Sequence, residues 1–442
     1  MTETKGSTSI STKQERIAEL AKRFQTLTTL SHHIDEAWLI EAYRRTRKDG
    51  AAGVDGQSAE EYAQNLEGNL AVLLERAKAG TYRAPAVRRV HIPKGRGETR
   101  PIGIPTFEDK VLQRAVTMVL EAVYEQDFLL CNYGFRPGRD QHQCLQALRD
   151  AARKMAGGWV LEVDIRKFFD TIPRQRLLEI LRQRVRDGVI LRLVAKWLHA
   201  GVTEEGTTTY PEAGTPQGGV VSPLLANIFL HEVLDTWFEK EVRPRMHGHS
   251  SLFRYADDAV MLFEKEEDAR RVLEVLPKRF EKYGLVLHPE KTRLVRFRRP
   301  DRDTDAGGRG GGGPGTFNFL GFTHHWARTM SGYWAMFRRT KASSQRQALR
   351  DIWVWLKTHR HRPLGEQQLG LNQRLRGHYG YFAIRGNMTR VWQLFAQVQR
   401  AWKKWLSRRS DKAGLTWARF HKLLARYPLQ RPALNVRSER TA

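Results

Sequence analysis

The chain is 442 residues long, 40% hydrophobic and 28% charged, with 75 Lys and Arg against 48 Asp and Glu and a net charge of +27. Such a surplus repels itself unless a polyanion neutralises it, so nucleic acid is the leading partner class, with a basic membrane-surface protein as the alternative. Two cysteines, Cys131 and Cys144, exclude a disulfide framework and a four-cysteine zinc site and make a reducing cytosol the default. The polar start and the lack of a run of about 18 apolar residues argue against a secretory signal and a membrane-spanning helix.

In chain order, Asp35 to Lys48 and Glu60 to Ala77 have helical patterning. Val87 to Ile92 and Arg100 to Ile104 predict two short strands around the turn Gly95-Arg96-Gly97. Phe107 to Tyr124 predicts a helix, Trp159 to Ile165 a strand, and Arg174 to Arg186 and Pro223 to Glu239 two further helices. Leu252 to Tyr255 and Ala259 to Phe263 predict paired short strands, followed by a helix from Glu267 to Tyr283 and strands at Leu294 to Phe297 and Thr316 to Phe319. Residues 300–315, PDRDTDAGGRGGGGPG, predict a flexible loop, either an extended hairpin tip or a domain linker. From Ser331 to Ala442 there are 24 Lys and Arg against 4 Asp and Glu, and seven of the twelve tryptophans, a composition shift that marks a domain boundary. Within that segment Val391, Leu394, Phe395, Val398, Trp402, Trp405 and Leu406 recur at helical spacing. That pattern gives the tryptophans to a core stripe and Arg390, Arg400, Lys403, Lys404, Arg408 and Arg409 to a face suited to nucleic-acid backbone.

Two acidic patterns carry chemistry. In residues 253–263, FRYADDAVMLF, two apolar strand-like runs bracket Asp257 and Asp258, whereas a tight hairpin prefers Asn-Gly or Asp-Gly. Adjacent carboxylates in that setting repel and call for a compensating divalent cation, the alternative being an exposed turn with two solvated acids. In Val160-Leu161-Glu162-Val163-Asp164-Ile165, Asp164 ends an apolar strand, either as a cap of the following turn or as a functional acid. Three carboxylates from two neighbouring strands would build an oxygen site for two Mg²⁺ ions, which can activate a 3′-hydroxyl and stabilise a leaving pyrophosphate.

With GTPQGG at 214–219 between them, these strands resemble the palm motifs of reverse transcriptases. More closely, the chain is similar to the reverse transcriptase/maturase encoded by bacterial group II introns. The blocks run in that family's order: GVDG (53–56), IPKGRGETRPIGIPT (92–106), YGFRPGR (133–139), VDIRKFFDTI (163–172), GTPQGGVVSPLLANI (214–228), FRYADDAVML (253–262), HPEKT (288–292), FNFLGF (317–322) and LRGHYGYFAIRGN (375–387). The resemblance covers nearly everything beyond about residue 30, and it is the ordered set rather than any one block that is specific.

The resemblance implies an α+β right-hand polymerase: fingers, a palm with a small antiparallel sheet, and a helical thumb/maturase domain. It divides the chain into an N-terminal extension and start of fingers (1–86), a fingers/palm domain (87–330) and a basic thumb/maturase domain (331–442). It assigns Asp164, Asp257 and Asp258 as the catalytic, metal-binding carboxylates, with the Ile165 carbonyl as a further ligand. Phe169 would lie beneath the incoming sugar and reject a 2′-hydroxyl, a core Phe beside Phe168 being the alternative. Gln217 would pack near nucleotide and template, Lys94 and Arg100 would grip the triphosphate with Arg96 able to replace either, and Lys291 would donate a proton to pyrophosphate or else be a surface charge. Phe319, Leu320 and Gly321 match the hairpin that holds the primer end.

The implied activity is RNA-directed DNA synthesis with two Mg²⁺ ions, Mn²⁺ as a substitute, together with binding of intron RNA to assist splicing and mobility. The implied partners are RNA template, DNA primer, dNTPs and target DNA, with no membrane, in a bacterial cytoplasm and at the nucleoid when on target DNA. A maturase without polymerase activity and a domesticated reverse transcriptase of a defence system, retron or CRISPR array are the alternatives. No cysteine follows Cys144, so the C-terminal nuclease domain common in the family is not expected.

Overall fold

The computed structural model describes residues 9–95, 98–210, 214, 218–300, 315–409 and 414–435, without the side chains of residues 94, 95 and 98. Its strands are β1 (Val87–Gly95), β2 (Glu98–Ile104), β3 (Trp159–Val163), β4 (Val202–Glu204), β5 (Thr207–Thr209), β6 (Ser250–Tyr255), β7 (Asp258–Phe263), β8 (Arg293–Arg296), β9 (Phe317–Phe319), β10 (Phe322–Arg328) and β11 (Trp334–Thr340). They form three sheets, ordered β2-β1-β4-β5, β6-β7-β3-β8 and β11-β10-β9. Helices precede, follow and fall between groups of these strands, so the α+β class stands. The chain divides into two compact units: Met1–Asp140, Val163–Met261 and Arg270–Arg293 in the first, and Gln141–Glu162, Leu262–Ala269 and Leu294–Ala442 in the second.

The first unit is organised on the helix Phe107–Tyr124, whose bounds are those expected from sequence. Thr106 caps it by accepting from the Asp109 N–H, and a broad apolar face buries most of it, leaving Glu108, Lys110, Arg114 and Glu121 partly exposed. Its carboxylate Asp109 is fully enclosed and accepts from Tyr82 Oη (2.6 Å), Trp197 Nε1 (2.6 Å) and Gln113 Nε2 (3.0 Å). Gln113 Oε1 in turn accepts from the Val221 N–H at 3.3 Å, just ahead of the helix Ser222–Leu230. The helix expected over Pro223 to Glu239 is present, but after Leu230 it widens into π-helical turns at His231–Thr236 and Phe238–Val242. The helix expected from Glu60 to Ala77 is two, Ala59–Ala63 and Leu66–Ala79, because a Ser58/Glu61 capping box starts the first and the chain restarts at Asn65.

In the second unit, the helices Ala342–His359, Leu364–Phe382, Met388–Ser407 and Trp417–Arg426 enclose one apolar core. Val391, Leu394, Phe395, Val398, Trp402, Trp405 and Leu406 are all buried in it, as the periodicity predicts, while Arg400, Lys404 and Arg408 stay exposed. Trp402 Nε1 donates to the buried Gln367 Oε1 at 2.9 Å, which satisfies the one polar atom of that ring. Residues 301–314 of the expected loop lie outside the described residues. Their flanks do not form a simple hairpin, since β8 and β9 belong to different sheets, although the Gly315 N–H donates to Arg296 O at 3.0 Å.

Candidate active site

Strand order and direction bring the predicted acids to one end of the β6-β7-β3-β8 sheet. A Cβ added to Gly158 would stand 2.2 Å from Phe263 O, so the start of β3 lies against the end of β7 and the neighbouring strands run antiparallel. The end of β3, where Asp164 follows Val163, therefore lies beside the start of β7, where Asp257 and Asp258 sit. On the other flank the Phe297 N–H donates to Gly158 O at 2.7 Å and the His288 N–H to Asp164 O at 2.8 Å, so β8 is antiparallel too and carries the HPEKT turn to the same end. There Lys291 Nζ lies 3.5 Å from Asp164 Oδ1, with both side chains partly exposed. Asp257 is half-buried and Asp258 exposed.

Ile165 forms an antiparallel bridge with Leu287, and the bonds around it run from the Arg166 N–H to Val286 O and from the His288 N–H to Asp164 O. In such a pair the bridging residue directs its own N–H and C=O away from its partner strand. The Ile165 carbonyl thus points to the side of β3 on which β7 lies.

The β6–β7 turn is held from behind by a buried polar network that sequence reasoning missed. Ala256, which precedes Asp257, has φ +57°, a strained value for a residue with a Cβ. Arg254 is fully buried and pairs with Asp235 through Nε to Oδ1 at 2.7 Å and Nη2 to Oδ2 at 2.5 Å. Its Nη1 donates to Asn227 Oδ1 at 2.9 Å and to Ala256 O at 3.0 Å. Asn227 Nδ2 donates to Gly134 O at 2.5 Å, and Gly134 lies so close to the turn that a Cβ there would be 2.2 Å from Ala256 N. The available signal was a lone Arg in an apolar strand and a lone Asp in the apolar stretch LLANIFLHEVLD.

Other expected residues gather in the same unit. Phe168 is buried, whereas Phe169 is half-exposed with its ring 5.2 Å from that of Phe168. Gly214 lies against the Phe169 and Asp170 carbonyls, each 2.9 Å from an added Cβ, and Gly218 against Gly103 O in β2 at 2.4 Å. Both glycines have positive φ, +89° and +114°, so a side chain at either would meet strain as well as a clash. Gln217, between them, lies outside the described residues, as do Arg96 and the side chain of Lys94. Arg100 is exposed on β2 opposite Ile92, and Lys94 falls where the β1–β2 register slips between Pro93 and Gly95.

The expected primer hairpin belongs to the second unit. Leu320 (φ +46°) and Gly321 (φ +76°) form a two-residue turn between β9 and β10 with the twist of a type I′ hairpin. Phe319 is buried, and Tyr381 Oη donates to Leu320 O at 2.7 Å.

Among the described residues, no three His, Cys, Asp or Glu side chains converge closely enough to hold an ion by themselves. The donor set at the sheet end is nonetheless oxygen only, which suits a hard cation. Mg²⁺ commonly takes just one or two carboxylates and completes its shell with water and substrate phosphates. Among the described residues, no helix is long and apolar enough to cross a membrane.

Residues 92–324, just over half the chain, match the family described as reverse transcriptase (RNA-dependent DNA polymerase). The α+β arrangement fits that family's right-hand polymerase fold. The chain is 37% identical over 201 residues to "Protein YkfC" of Escherichia coli (strain K12), a match covering 44% of this chain and 53% of that protein. It is 36% identical over 219 residues to "Group II intron-encoded protein LtrA" of Lactococcus lactis subsp. cremoris, covering 47% of this chain and 36% of that protein. It is 28% identical over 178 residues to "Nuclear intron maturase 2, mitochondrial" of Arabidopsis thaliana, covering 31% of this chain and 24% of that protein. The matched stretches thus span about half the length of the first relative and about a third of the second.

Proposed function

Because the chain belongs to the reverse transcriptase family, we propose that it is an RNA-directed DNA polymerase of the group II intron kind, which also binds intron RNA as a maturase. The observation that carries this reading is the meeting of Asp164, the Asp257-Asp258 turn and Lys291 at one end of the β6-β7-β3-β8 sheet. Asp164, Asp257 and Asp258, with the Ile165 carbonyl, would hold Mg²⁺, or Mn²⁺ in its place. When bound, two such ions make a 3′-hydroxyl a better nucleophile and stabilise the charge of departing pyrophosphate. The chain's own groups do the rest. Lys291 holds a proton on Nζ for the leaving pyrophosphate, and Arg100 with Lys94 grips the triphosphate. Phe169 closes off the space a 2′-hydroxyl would need, Gln217 packs beside the nucleotide and template, and Phe319, Leu320 and Gly321 position the primer.

The substrates on this reading are dNTPs, an RNA template and a DNA primer, with intron RNA and target DNA as partners in a bacterial cytoplasm. The basic face of the helix Met388–Ser407 supports RNA binding, because Arg400, Lys404 and Arg408 are exposed with few acids nearby. The intact acid set favours a polymerase over a maturase with a silent site. Primer extension on an RNA template, comparing wild type with Asp257→Ala at equal RNA occupancy, tests it. cDNA from wild type and none from the variant is expected; no cDNA from folded, RNA-binding wild type overturns it.

A further inference from the structure

We propose that the second unit carries a pocket for one nucleotide of a single-stranded nucleic acid, built from Arg149, Arg153, Arg299, Trp326 and Trp334. This inference rests on the unit's own geometry and does not depend on the polymerase reading. The five residues, with Ala335 and Met336, line a cavity of about 350 Å³. That is near the low end of ligand-pocket volumes, about 300 to 1,000 Å³, and suits one nucleotide rather than a duplex.

Three elements supply the walls. Arg149 and Arg153 are four apart on the helix Gln141–Lys154 and so share a face. Arg299 follows β8. Trp326 and Met336 are direct partners across β10 and β11, and Trp334 pairs with Arg328 two residues along, which puts Trp326, Trp334 and Met336 on one face of the hairpin. Trp326 is fixed by its Nε1 donating to Phe297 O at 2.9 Å, whereas Trp334 is only partly covered.

The charge is one-sided. Among the described residues, no carboxylate lines the cavity. Among the described residues, Arg149, Arg153 and Arg299 have no hydrogen-bond or ion-pair partner for their guanidiniums. Arg338 on β11 shows the crowding: burial, and then the charge of Arg149, push its pKa down to about 10, with Asp150 and Tyr381 opposing. Unpaired guanidinium forks match phosphate oxygens, and an indole face offers a stacking platform to any base. A cavity of this size admits a base only when it is out of a helical stack, which selects a single strand.

The test uses the full chain with 12-residue RNA and DNA oligonucleotides of one sequence, each carrying a photoreactive 4-thiopyrimidine. Crosslinks should map to peptides containing Trp326 or Trp334. Arg153 and Arg299 are exposed, so Arg153→Gln/Arg299→Gln should keep the fold and retain primer extension. It should lose these crosslinks and flatten the slope of log affinity against log salt by about 1.4, two phosphate contacts at about 0.7 each for a single strand. Trp334→Leu should lose the crosslinks with the slope unchanged, and Trp334→Phe should restore them. Loss with RNA alone, DNA alone or both supports the pocket and names the strand. Crosslinks confined to other peptides, or an unchanged slope and crosslink yield in the double Arg variant, overturn it.

Discussion

Arg254 and Asp235 form a two-point ion pair in which both side chains are fully buried, and the same guanidinium donates to the carbonyl of Ala256, the residue before Asp257. Removing one partner leaves an uncompensated buried charge, which typically costs about 3–5 kcal/mol. Arg254→Ala and Asp235→Ala should each lower stability by that amount in urea titrations. Arg254→Lys is the more telling variant. It keeps a charge for Asp235, yet an ammonium cannot serve both Asp235 oxygens, Asn227 and Ala256 O in the guanidinium's geometry. Primer extension should therefore fall more steeply than stability.

Gly134 and Gly138 separate space from backbone conformation. An added Cβ at Gly134 would meet Ala256 N at 2.2 Å, while at Gly138 it would meet open space but carry φ +70°. Gly138→Ala should cost about 1–2 kcal/mol of left-handed strain and keep its polymerase activity. Gly134→Ala must move the turn that bears Asp257, so primer extension should be lost even at temperatures where circular dichroism shows a folded chain.

Phe169 stands half-exposed beside the buried Phe168, so only Phe168 is fully committed to the core. Phe169→Val should leave dNTP incorporation within a few-fold and raise rNTP incorporation, measured as the ratio of kcat/KM values. An unchanged ratio would leave Phe169 a packing partner of Phe168 with no part in sugar selection.

The parts legible in the sequence are those with a local cause. The helix Phe107–Tyr124 has a broad apolar face and a Thr cap, and β6 and β7 bracket an acid pair that a simple turn would not choose. The Arg254–Asp235 pair was not legible, because its members are 19 residues apart and no period links them. The π-helical turns at His231–Thr236 and Phe238–Val242 leave an ordinary helical pattern in the sequence. β4 and β5 are three residues each, and Thr207–Thr209 is exposed throughout, so no alternation announces them. The candidate acids stand out in the sequence because their pattern is local, while the scaffold beneath them depends on distant contacts.

Lys291 and Asp164 give a pair whose roles in stability and chemistry should separate. Their 3.5 Å contact is partly exposed, with side-chain accessibilities of 56% and 34%, and such pairs contribute about 0–1 kcal/mol. Lys291→Gln should therefore unfold at nearly the wild-type urea concentration. If Lys291 gives a proton to pyrophosphate, single-turnover extension should slow by about 10²-fold or more. A rate within three-fold of wild type would leave it a surface charge.

Asp109 should make stability depend on pH in a direction opposite to that of an ordinary salt-bridged acid. Burial raises its pKa from 3.8 to about 6, although the hydrogen bonds donated by Tyr82, Trp197 and Gln113 pull the other way. Between those values the folded chain holds a proton that the unfolded chain has released. Stability contributed by this site is thus present below the unfolded value and declines as pH rises through the folded value. The difference amounts to about 3 kcal/mol at 1.36 kcal/mol per unit. Asp109→Asn removes the titration while keeping one acceptor oxygen for Tyr82 and Trp197. Its new amide must compete with Gln113, whose own carbonyl serves the Val221 N–H. Urea titrations of both proteins from pH 4 to 7 isolate the effect, because every other carboxylate cancels in the difference. Wild type should lose stability relative to Asp109→Asn as pH rises from 4 to 6, then run parallel to it. Parallel curves throughout would mean that Asp109 stays ionised across the whole range, its three donors outweighing its burial.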